Sequence, residues 1–256
     1  MDFLDKRYIN LLREIAISHF KLKDQSTFFG LVWSFLHPLI LLLILFIFFN
    51  LRIGREIEHY AIYLLIGLIH YTHFSNTTNA SIDILEVMRQ LTSNTIFPKE
   101  VLVIGSVIVN TIEFAISMLI CILFAYFSGV RLSWMVSLLL LVFLLQIMLV
   151  LWVSLILSCS YVFFKDIRHI YQVFLRILFF ITPIFYTADF LGGRIAGYIV
   201  LFNPLAHLIN LSRTIIIGGD LFPLKLFIIF FVLNMLLIYV GLQIFKKNEP
   251  RFAEYV

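Results

Sequence analysis

The chain has 256 residues, of which 62% are hydrophobic and 13% are charged, and its mean hydropathy is +1.02. Soluble domains carry about 25% charged residues, so this composition excludes an ordinary soluble domain and indicates an integral membrane protein. The net charge of +4 does not indicate nucleic-acid binding, because lysine and arginine in a membrane chain first report how the spans are oriented. Cys121 and Cys159 lie in apolar segments, which predicts neither a disulfide nor a metal site.

The chain begins with an amphipathic segment over residues 1–27. Its apolar side chains share one helical face, and the basic side chains lie opposite. The apolar face contains Leu4, Tyr8, Leu11, Leu12, Ile15 and Leu22. Because this segment directly precedes a long apolar run, we predict a helix that lies in the membrane interface. An ordinary soluble helix is the alternative.

Apolar segments that are long enough to cross a bilayer follow, since one crossing takes about 20 residues of helix. The candidate spans are residues 30–50, 57–81, 101–127, 133–163, 171–217 and 222–245. Six crossings place both termini on one side of the membrane. Thirteen of the 19 lysine and arginine residues then fall on that side, so the positive-inside rule predicts cytoplasmic termini.

The second span has a polar second half that begins at His70. Polar groups without partners are costly in hydrocarbon, so we expect this half to face another helix, a partner subunit or water. The alternative is a helix that ends near Tyr71 and is followed by a polar loop. His70 and His73 have no further metal ligand at local spacing, so no metal site is predicted. Glu113, in the third span, has no second acid nearby, and we interpret it as a structural residue.

The cytoplasmic connector over residues 83–98 is also amphipathic. Ile82, Leu85, Met88 and Leu91 recur at helical spacing, and Pro98 ends the pattern. A short helix of this kind needs a surface on which to bury its apolar side. The helix bundle itself and a soluble partner both provide such a surface.

The segment over residues 171–217 is too long for one crossing, and it is interrupted at Thr182-Pro183, Gly192-Gly193 and Asn203-Pro204. Proline removes a backbone donor and bends or ends a helix. Irregular backbone at membrane depth is tolerated only where protein or a water-filled path shields it from lipid. We therefore predict a segment that enters the membrane, turns and leaves on one side, with its interruptions toward the outside.

Several short motifs occur together in a fixed order along the chain. They are Gly30-Leu-Val-Trp33-Ser-Phe-Leu-His-Pro38, Phe97-Pro98-Lys99-Glu100, Phe164-Lys165-Asp166-Ile167-Arg168, Thr182-Pro183-Ile184-Phe185-Tyr186, and Asn203-Pro204 with Arg213. With this set the chain resembles the membrane (permease) subunit of an ABC-2 type polysaccharide exporter, the group that moves lipid-linked O antigens and teichoic acids. At Lys165 the family more usually has arginine, so the charge is kept and the planar guanidinium is lost.

The resemblance implies a single all-α integral membrane domain over residues 1–256, with six transmembrane helices and both termini in the cytoplasm. It also implies a homodimer in the cytoplasmic (inner) membrane, paired with two copies of a nucleotide-binding ATPase subunit. ATP and Mg would bind to that partner, in agreement with the lack of a Walker A loop in this chain. The chain itself is expected to be no enzyme and to bind no cofactor. The implied substrate is a glycan linked to a polyprenyl diphosphate.

The resemblance also assigns roles to particular residues. A coupling helix over residues 83–98 would seat in the ATPase, and short re-entrant gate helices would lie toward the outside between spans five and six. The docking residues would be Asp83, Glu86, Met88, Arg89, Phe97, Pro98, Lys99, Lys165 and Asp166. The external gate residues would be Thr182, Pro183, Tyr186, Asn203 and Pro204.

Aromatic side chains are the candidates for lining a glycan path, because their rings contact the C–H faces of sugars. The candidates are Trp33, Tyr60, Tyr63, Tyr71 and Phe74. Trp33 is equally well interpreted as an anchor in the membrane interface. For the diphosphate, the basic residues near the cytoplasmic face are candidates, namely Arg7, Arg13 and Lys21.

Three other functions remain open from the residues alone. One is an ABC-2 exporter of drugs or small lipids, and another is a channel or scramblase that needs no ATPase. The third is an intramembrane enzyme that uses Glu113 and His70.

Overall fold

A computed structural model describes residues 6–24, 32–50, 54–94, 97–187, 202–218 and 224–255. These residues form helices and turns, with no strand among them, so the all-α prediction is confirmed. The α-helices are α1 (Lys6–Asp24), α2 (Val32–Phe49), α3 (Tyr60–Ile82), α4 (Ile84–Val87), α5 (Arg89–Asn94), α6 (Glu100–Phe127), α7 (Leu139–Phe163), α8 (Ile167–Ile181), α9 (Pro204–Ile216), α10 (Leu224–Asn248) and α11 (Phe252–Tyr255). Short 3₁₀ helices cover Gly54–Glu56, Trp134–Leu138 and Glu249–Arg251.

Three helical segments within the described ranges are long and apolar enough to cross a membrane: Glu100–Phe127, Trp134–Phe163 and Leu224–Arg251. α2 contributes a shorter apolar stretch, Leu36–Phe49. α3 has 23 residues, enough for a crossing at 1.5 Å per residue, but its second half is polar. The chain is therefore an integral membrane protein, and the count of six spans stays a prediction.

α3 is the central helix of the fold. Its residues from Leu64 to His70 are all nearly inaccessible, because they pack against α6, α7 and α9. α10, in contrast, lies at the edge and packs mainly on α7. Along α10 the buried residues are Asn234, Gly241 and Phe245, and most of the others present apolar side chains outward. This exposed apolar surface is typical of a lipid-facing helix.

The polar half of α3 continues as helix to Ile82, so the alternative of a loop after Tyr71 is wrong. Thr77, Thr78 and Ser81 are fully buried. The hydroxyls of Thr78 and Ser81 donate to carbonyls one turn earlier, at 2.7 and 2.8 Å. Tyr171 of α8 donates to Oγ1 of Thr78 at 2.8 Å. Much of this half of α3 therefore faces neighbouring helices, as one of the sequence interpretations expected.

α1 packs its apolar face on protein. Tyr8 and Ile15 are buried in a cluster with α6 and the C-terminal residues. At Gly105 of α6, an added Cβ would lie 3.0 Å from Cγ2 of Ile15, so the glycine permits this close approach. Ile9 and Ile17 remain exposed on the other side of α1. The predicted position of α1 in the membrane interface stays a prediction.

The connector predicted as one helix over residues 83–98 contains two short helices, α4 and α5. Met88 interrupts them with a non-helical ψ of 37°. Thr92 stabilises the turn, because its hydroxyl donates to the carbonyls of Leu85 and Met88 at 2.8 and 3.1 Å. Residues 95 and 96 lie outside the described residues. Because of this break, α4 lies at the C-terminal end of α3 and beside the start of α8.

Candidate functional site

The helix α8 ends at Ile181, and the next five residues, 182–186, form a non-helical segment inside the protein. Thr182, Ile184 and Tyr186 are each exposed by 2% or less. Buried carbonyl groups without hydrogen bonds are costly, and this segment has no helical ladder to supply donors. Side chains from other helices must therefore supply them.

Arg213 of α9 supplies the first two donors. Its Nη1 donates to the carbonyl of Pro183 and its Nη2 to that of Ile184, both at 2.7 Å. Nε and Nη2 also donate to the carbonyl of Tyr63 on α3, at 3.2 and 3.0 Å. The guanidinium carbon lies 3.3 Å from the ring centroid of Tyr63. Carbonyl dipoles and an aromatic face thus surround the buried charge.

Two tyrosines of α3 supply the next two donors. The hydroxyl of Tyr60 donates to the carbonyl of Phe185, and that of Tyr63 donates to the carbonyl of Tyr186, both at 2.9 Å. The four consecutive carbonyls of residues 183–186 therefore each accept a hydrogen bond from a side chain. We call Arg213, Tyr60 and Tyr63 the carbonyl clamp.

Asn203 connects the start of α9 to the same segment. Its Oδ1 accepts from the backbone N–H groups of Leu205 and Ala206 at 3.0 and 3.2 Å, which caps α9. Its Nδ2 donates to Oγ1 of Thr182 at 2.9 Å. Pro204 occupies the first position of α9, where its missing N–H costs nothing.

All five predicted gate residues therefore lie around one non-helical segment, and their gate role stays a prediction. Tyr186 closes the segment on itself, because its hydroxyl donates to the carbonyls of Phe180 and Ile181 at 2.7 and 2.9 Å. The predicted interruption at Gly192-Gly193 lies outside the described residues. Arg213 was part of the sequence motif, but its clamp role was not predicted.

A second buried polar group connects α3, α7 and α9. Nδ1 of His70 lies 3.1 Å from Oε1 of Gln146, and Nε2 lies 2.8 Å from Oγ of Ser212. Nε2 of Gln146 also donates to the carbonyl of His70 at 3.2 Å. Both ring nitrogens of His70 are thus engaged within the helix bundle, which supports a structural role for this histidine.

Replacing Gln146 with leucine is expected to lower the free energy of unfolding by about 2 kcal/mol, because the buried side chain of His70 and its carbonyl each lose a partner. Thermal unfolding of the purified protein in detergent measures this change. Gln243→Leu on the exposed face of α10 is the matched control and should leave the transition unchanged. Equal transitions for the two variants would contradict the assigned role of Gln146.

Four of the five predicted pore aromatics are engaged within this chain. Besides the two clamp tyrosines, Tyr71 donates to the carbonyl of Leu175 at 2.8 Å, and Phe74 is buried with 6% exposure. Trp33 lies in α2, and its side chain is outside the described residues. Pore lining by these five residues stays a prediction.

Two ion pairs connect the connector to the start of α8. Arg168 donates to Asp83 and Lys165 donates to Glu86, both at 2.7 Å. The hydrogen bond from Lys165 lowers the pKa of Glu86 below its usual 4.5. The pair therefore contributes fully above about pH 4.5 and is lost as the pH falls through the lowered value. Because both partners are almost half exposed, solvent weakens the contribution to stability.

Lys99 points inward, unlike the other charged docking candidates. It is 8% exposed, its Nζ donates to the carbonyl of Leu91 at 3.3 Å, and its ammonium lies 4.5 Å from the ring centroid of Phe97. Burial lowers its pKa. Its backbone N–H donates to Oε1 of Glu249 at 2.7 Å, which ties the connector to the C-terminal segment. Phe97, Pro98 and Met88 are partly buried.

The outward surface of the connector and of the neighbouring start of α8 is mixed apolar and charged. Glu86, Arg89 and Asp166 are exposed, and their docking role stays a prediction. Leu85 is buried within the chain, so it cannot contact a partner. The exposed apolar residues are Val87, Leu91, Phe164 and Ile170. Val87, Phe164 and Ile170 were not predicted from the sequence, because only the backbone break at Met88 and the position of α8 bring them to the surface.

Glu113 lines a small cavity of about 20 Å³ between α3 and α6, together with His73, Asn76 and Asn110. Its side chain is buried, with 9% exposure. Amide, hydroxyl and imidazole groups line the same cavity and are able to donate hydrogen bonds to a carboxylate, in agreement with a structural interpretation of this acid.

Known proteins that are similar to this chain include transporters and export permeases. Residues 12–217 match the family described as ABC-2 type transporter. The chain is 28% and 29% identical to two proteins named O-antigen export system permease protein RfbA from Klebsiella pneumoniae, over 96% of this chain and 94% of each relative. It is 24% identical to the RfbA permease of Myxococcus xanthus, over 98% of this chain and 96% of the relative. The resemblance inferred from the sequence is confirmed, and the chain belongs to the ABC-2 type transporter family.

Proposed function

We propose that this chain is the membrane-spanning, non-enzymatic subunit of an ATP-driven exporter of lipid-linked polysaccharide, an O antigen or a similar glycan. The observation that carries the proposal is similarity to O-antigen export permeases over 96% of the chain. Membership of the ABC-2 family implies an ABC transporter with an ATPase partner. In this proposal the partner binds and hydrolyses ATP with Mg, and the present chain forms the path.

The proposed assembly is a homodimer with two ATPase subunits in the cytoplasmic membrane. Each copy of this chain forms one domain with six spans and cytoplasmic termini, with re-entrant gate helices between spans five and six. The distribution of basic residues supports this orientation. The C-terminal Lys246 and Lys247 lie at the same end of the bundle as the connector, because Glu249 binds the N–H of Lys99.

The geometry supports a mechanical path from the ATPase to the gate. α4 and α5 would dock on the partner through Glu86, Arg89 and the exposed apolar side chains. The two ion pairs transmit a displacement of α4 to the first turns of α8. α8 is a 15-residue helix about 22 Å long, and it leads directly into the segment held by the carbonyl clamp. A tilt of α8 would therefore move the clamped segment.

Reversing one charge of the Lys165–Glu86 pair is expected to reduce export several-fold while changing stability by less than about 1 kcal/mol, because the pair is exposed. Export is measured as glycan at the cell surface, and coupling as ATPase activity of the purified complex. Glu86→Lys and Lys165→Glu should each impair both, and the double variant should exceed Glu86→Lys alone in both, because it re-forms the ion pair. Failure of the double variant to recover would contradict transmission through this pair.

Lys247→Glu is the matched control, because Lys247 is an exposed lysine at the same end of the bundle. It should leave export and ATPase activity unchanged. Deleting the whole chain should cause lipid-linked glycan to accumulate inside the cell. Normal surface glycan in the deletion strain would contradict polysaccharide export and favour a drug or small-lipid exporter.

A further inference from the structure

A groove of about 270 Å³ lies on the surface of the chain between α2, α3 and α8. Its polar lining includes His37 of α2, Thr72, Ser75 and Asn76 of α3, and Arg176 of α8. His37, Asn76 and Arg176 are exposed. No role in the fold accounts for a cation, an imidazole and an amide that face outward together.

The depth of Arg176 in the membrane indicates what its exposed side chain faces. Arg168, which pairs with Asp83, marks the cytoplasmic end of α8. Arg176 lies eight residues further along the same helix, about 12 Å deeper at 1.5 Å per residue. An arginine at such depth avoids hydrocarbon and faces a bundle interior or a water-filled cavity. The groove is therefore best explained as part of the wall of an aqueous path.

The charge of the groove is positive. None of the described residues that line it is acidic. Glu113 lines a neighbouring small cavity that shares Thr72 and Asn76 with the groove, and its side chain is buried. Arginine presents planar donors that match phosphate oxygens, and histidine and asparagine add further donors. The volume of about 270 Å³ leaves room for a phosphate group.

We propose that Arg176, His37 and Asn76 form an anion site in the export path that binds a phosphate group on the transported molecule. The group is either the diphosphate of the lipid carrier or a phosphate on the glycan. The proposal deepens the proposed function and rests on it. It differs from the sequence prediction, which placed the candidates for the diphosphate on α1 at the membrane surface.

A cysteine at position 76 tests the site in the complete complex, reconstituted in lipid nanodiscs with its ATPase. The natural thiols of Cys121 and Cys159 are buried, so their background reaction is low. The probes are a sulfonate-bearing methanethiosulfonate and its trimethylammonium counterpart. We expect Asn76→Cys to react, and to prefer the anionic reagent. Adding Arg176→Gln should lower that preference about five-fold, since one nearby unit charge is removed in a partly screened site.

Arg131→Gln removes the same charge from an exposed residue between α6 and α7, and it should leave the preference unchanged. Protection then identifies the source of the phosphate. Slower modification with farnesyl diphosphate, but not with farnesol, indicates the lipid carrier. Protection by a phosphorylated oligosaccharide, but not by its neutral form, indicates the glycan.

Three results would overturn the anion site. They are an unreactive cysteine at position 76, a preference that Arg176→Gln leaves unchanged, and no protection by either phosphorylated compound. Loss of ATPase co-purification would instead contradict the proposed exporter, and the reaction rates would still report on the groove. The two failures are therefore distinguishable.

Discussion

Replacing Arg213 with alanine is expected to lower the free energy of unfolding by about 3 kcal/mol and to abolish most export. Interhelical hydrogen bonds in membrane proteins average only about 0.6 kcal/mol each. Here, however, one cation donates to the carbonyls of Tyr63, Pro183 and Ile184, and each buried acceptor left without a donor costs about 1 to 3 kcal/mol. Thermal unfolding in detergent and surface glycan measure the two effects.

Arg55→Ala is the matched control, because Arg55 is exposed in the 3₁₀ helix before α3. It should unfold like the unmodified protein. The stability of Arg213→Lys should lie between those of Arg213→Ala and Arg55→Ala. An ammonium keeps the charge but loses the planar arrangement that reaches three carbonyls. If Arg213→Ala were as stable as Arg55→Ala, the carbonyl clamp would not hold the segment 182–186.

Replacing Gly67 with alanine is expected to destabilise the protein by about 2 kcal/mol. An added Cβ would lie 2.9 Å from Nη2 of Arg213, 3.1 Å from Cγ2 of Ile184 and 3.2 Å from Cα of Ile184. Nη2 cannot move away freely, because it donates to two carbonyls. Overpacking costs up to about 3 kcal/mol, which exceeds the gain of about 1 kcal/mol that alanine brings to a helix.

Gly241→Ala on α10 is the control for this prediction. Its added Cβ would meet no atom closer than 3.6 Å, so the helix-propensity gain should appear without overpacking. The two glycine variants should therefore shift thermal unfolding in opposite directions. Equal shifts would show that the approach of Ile184 to α3 is not limited by the size of residue 67.

The fold was largely predictable because hydrophobic length marks the helices directly. The predicted span 101–127 corresponds to α6, and the predicted span 133–163 corresponds to a 3₁₀ turn followed by α7. The end of α3 was less clear, since threonine and serine in sequence favour a loop as readily as a buried helix face. Only the packing of Tyr171 against Thr78 resolves that ambiguity.

Individual residues of the candidate site were predictable from the sequence, but the contacts between them were not. Pro183 and Asn203 were identified because proline and asparagine interrupt helices for local reasons. The partners of Arg213 could not be identified, since Tyr63 is separated from it by 150 positions in sequence. The tyrosines of α3 were interpreted as sugar-binding surfaces, because a sequence shows an aromatic ring but not the acceptor that its hydroxyl finds.

The clamp on residues 183–186 binds main-chain oxygens only, and every amino acid carries that oxygen. Related chains can therefore change the side chain of Phe185, which is only partly buried, without losing the hydrogen bond that holds its carbonyl. Ile184 and Tyr186 tolerate substitution much less, because their side chains are buried. Divergence among exporters with different cargoes should thus concentrate at position 185 within this segment, while Arg213 and Gly67 stay fixed.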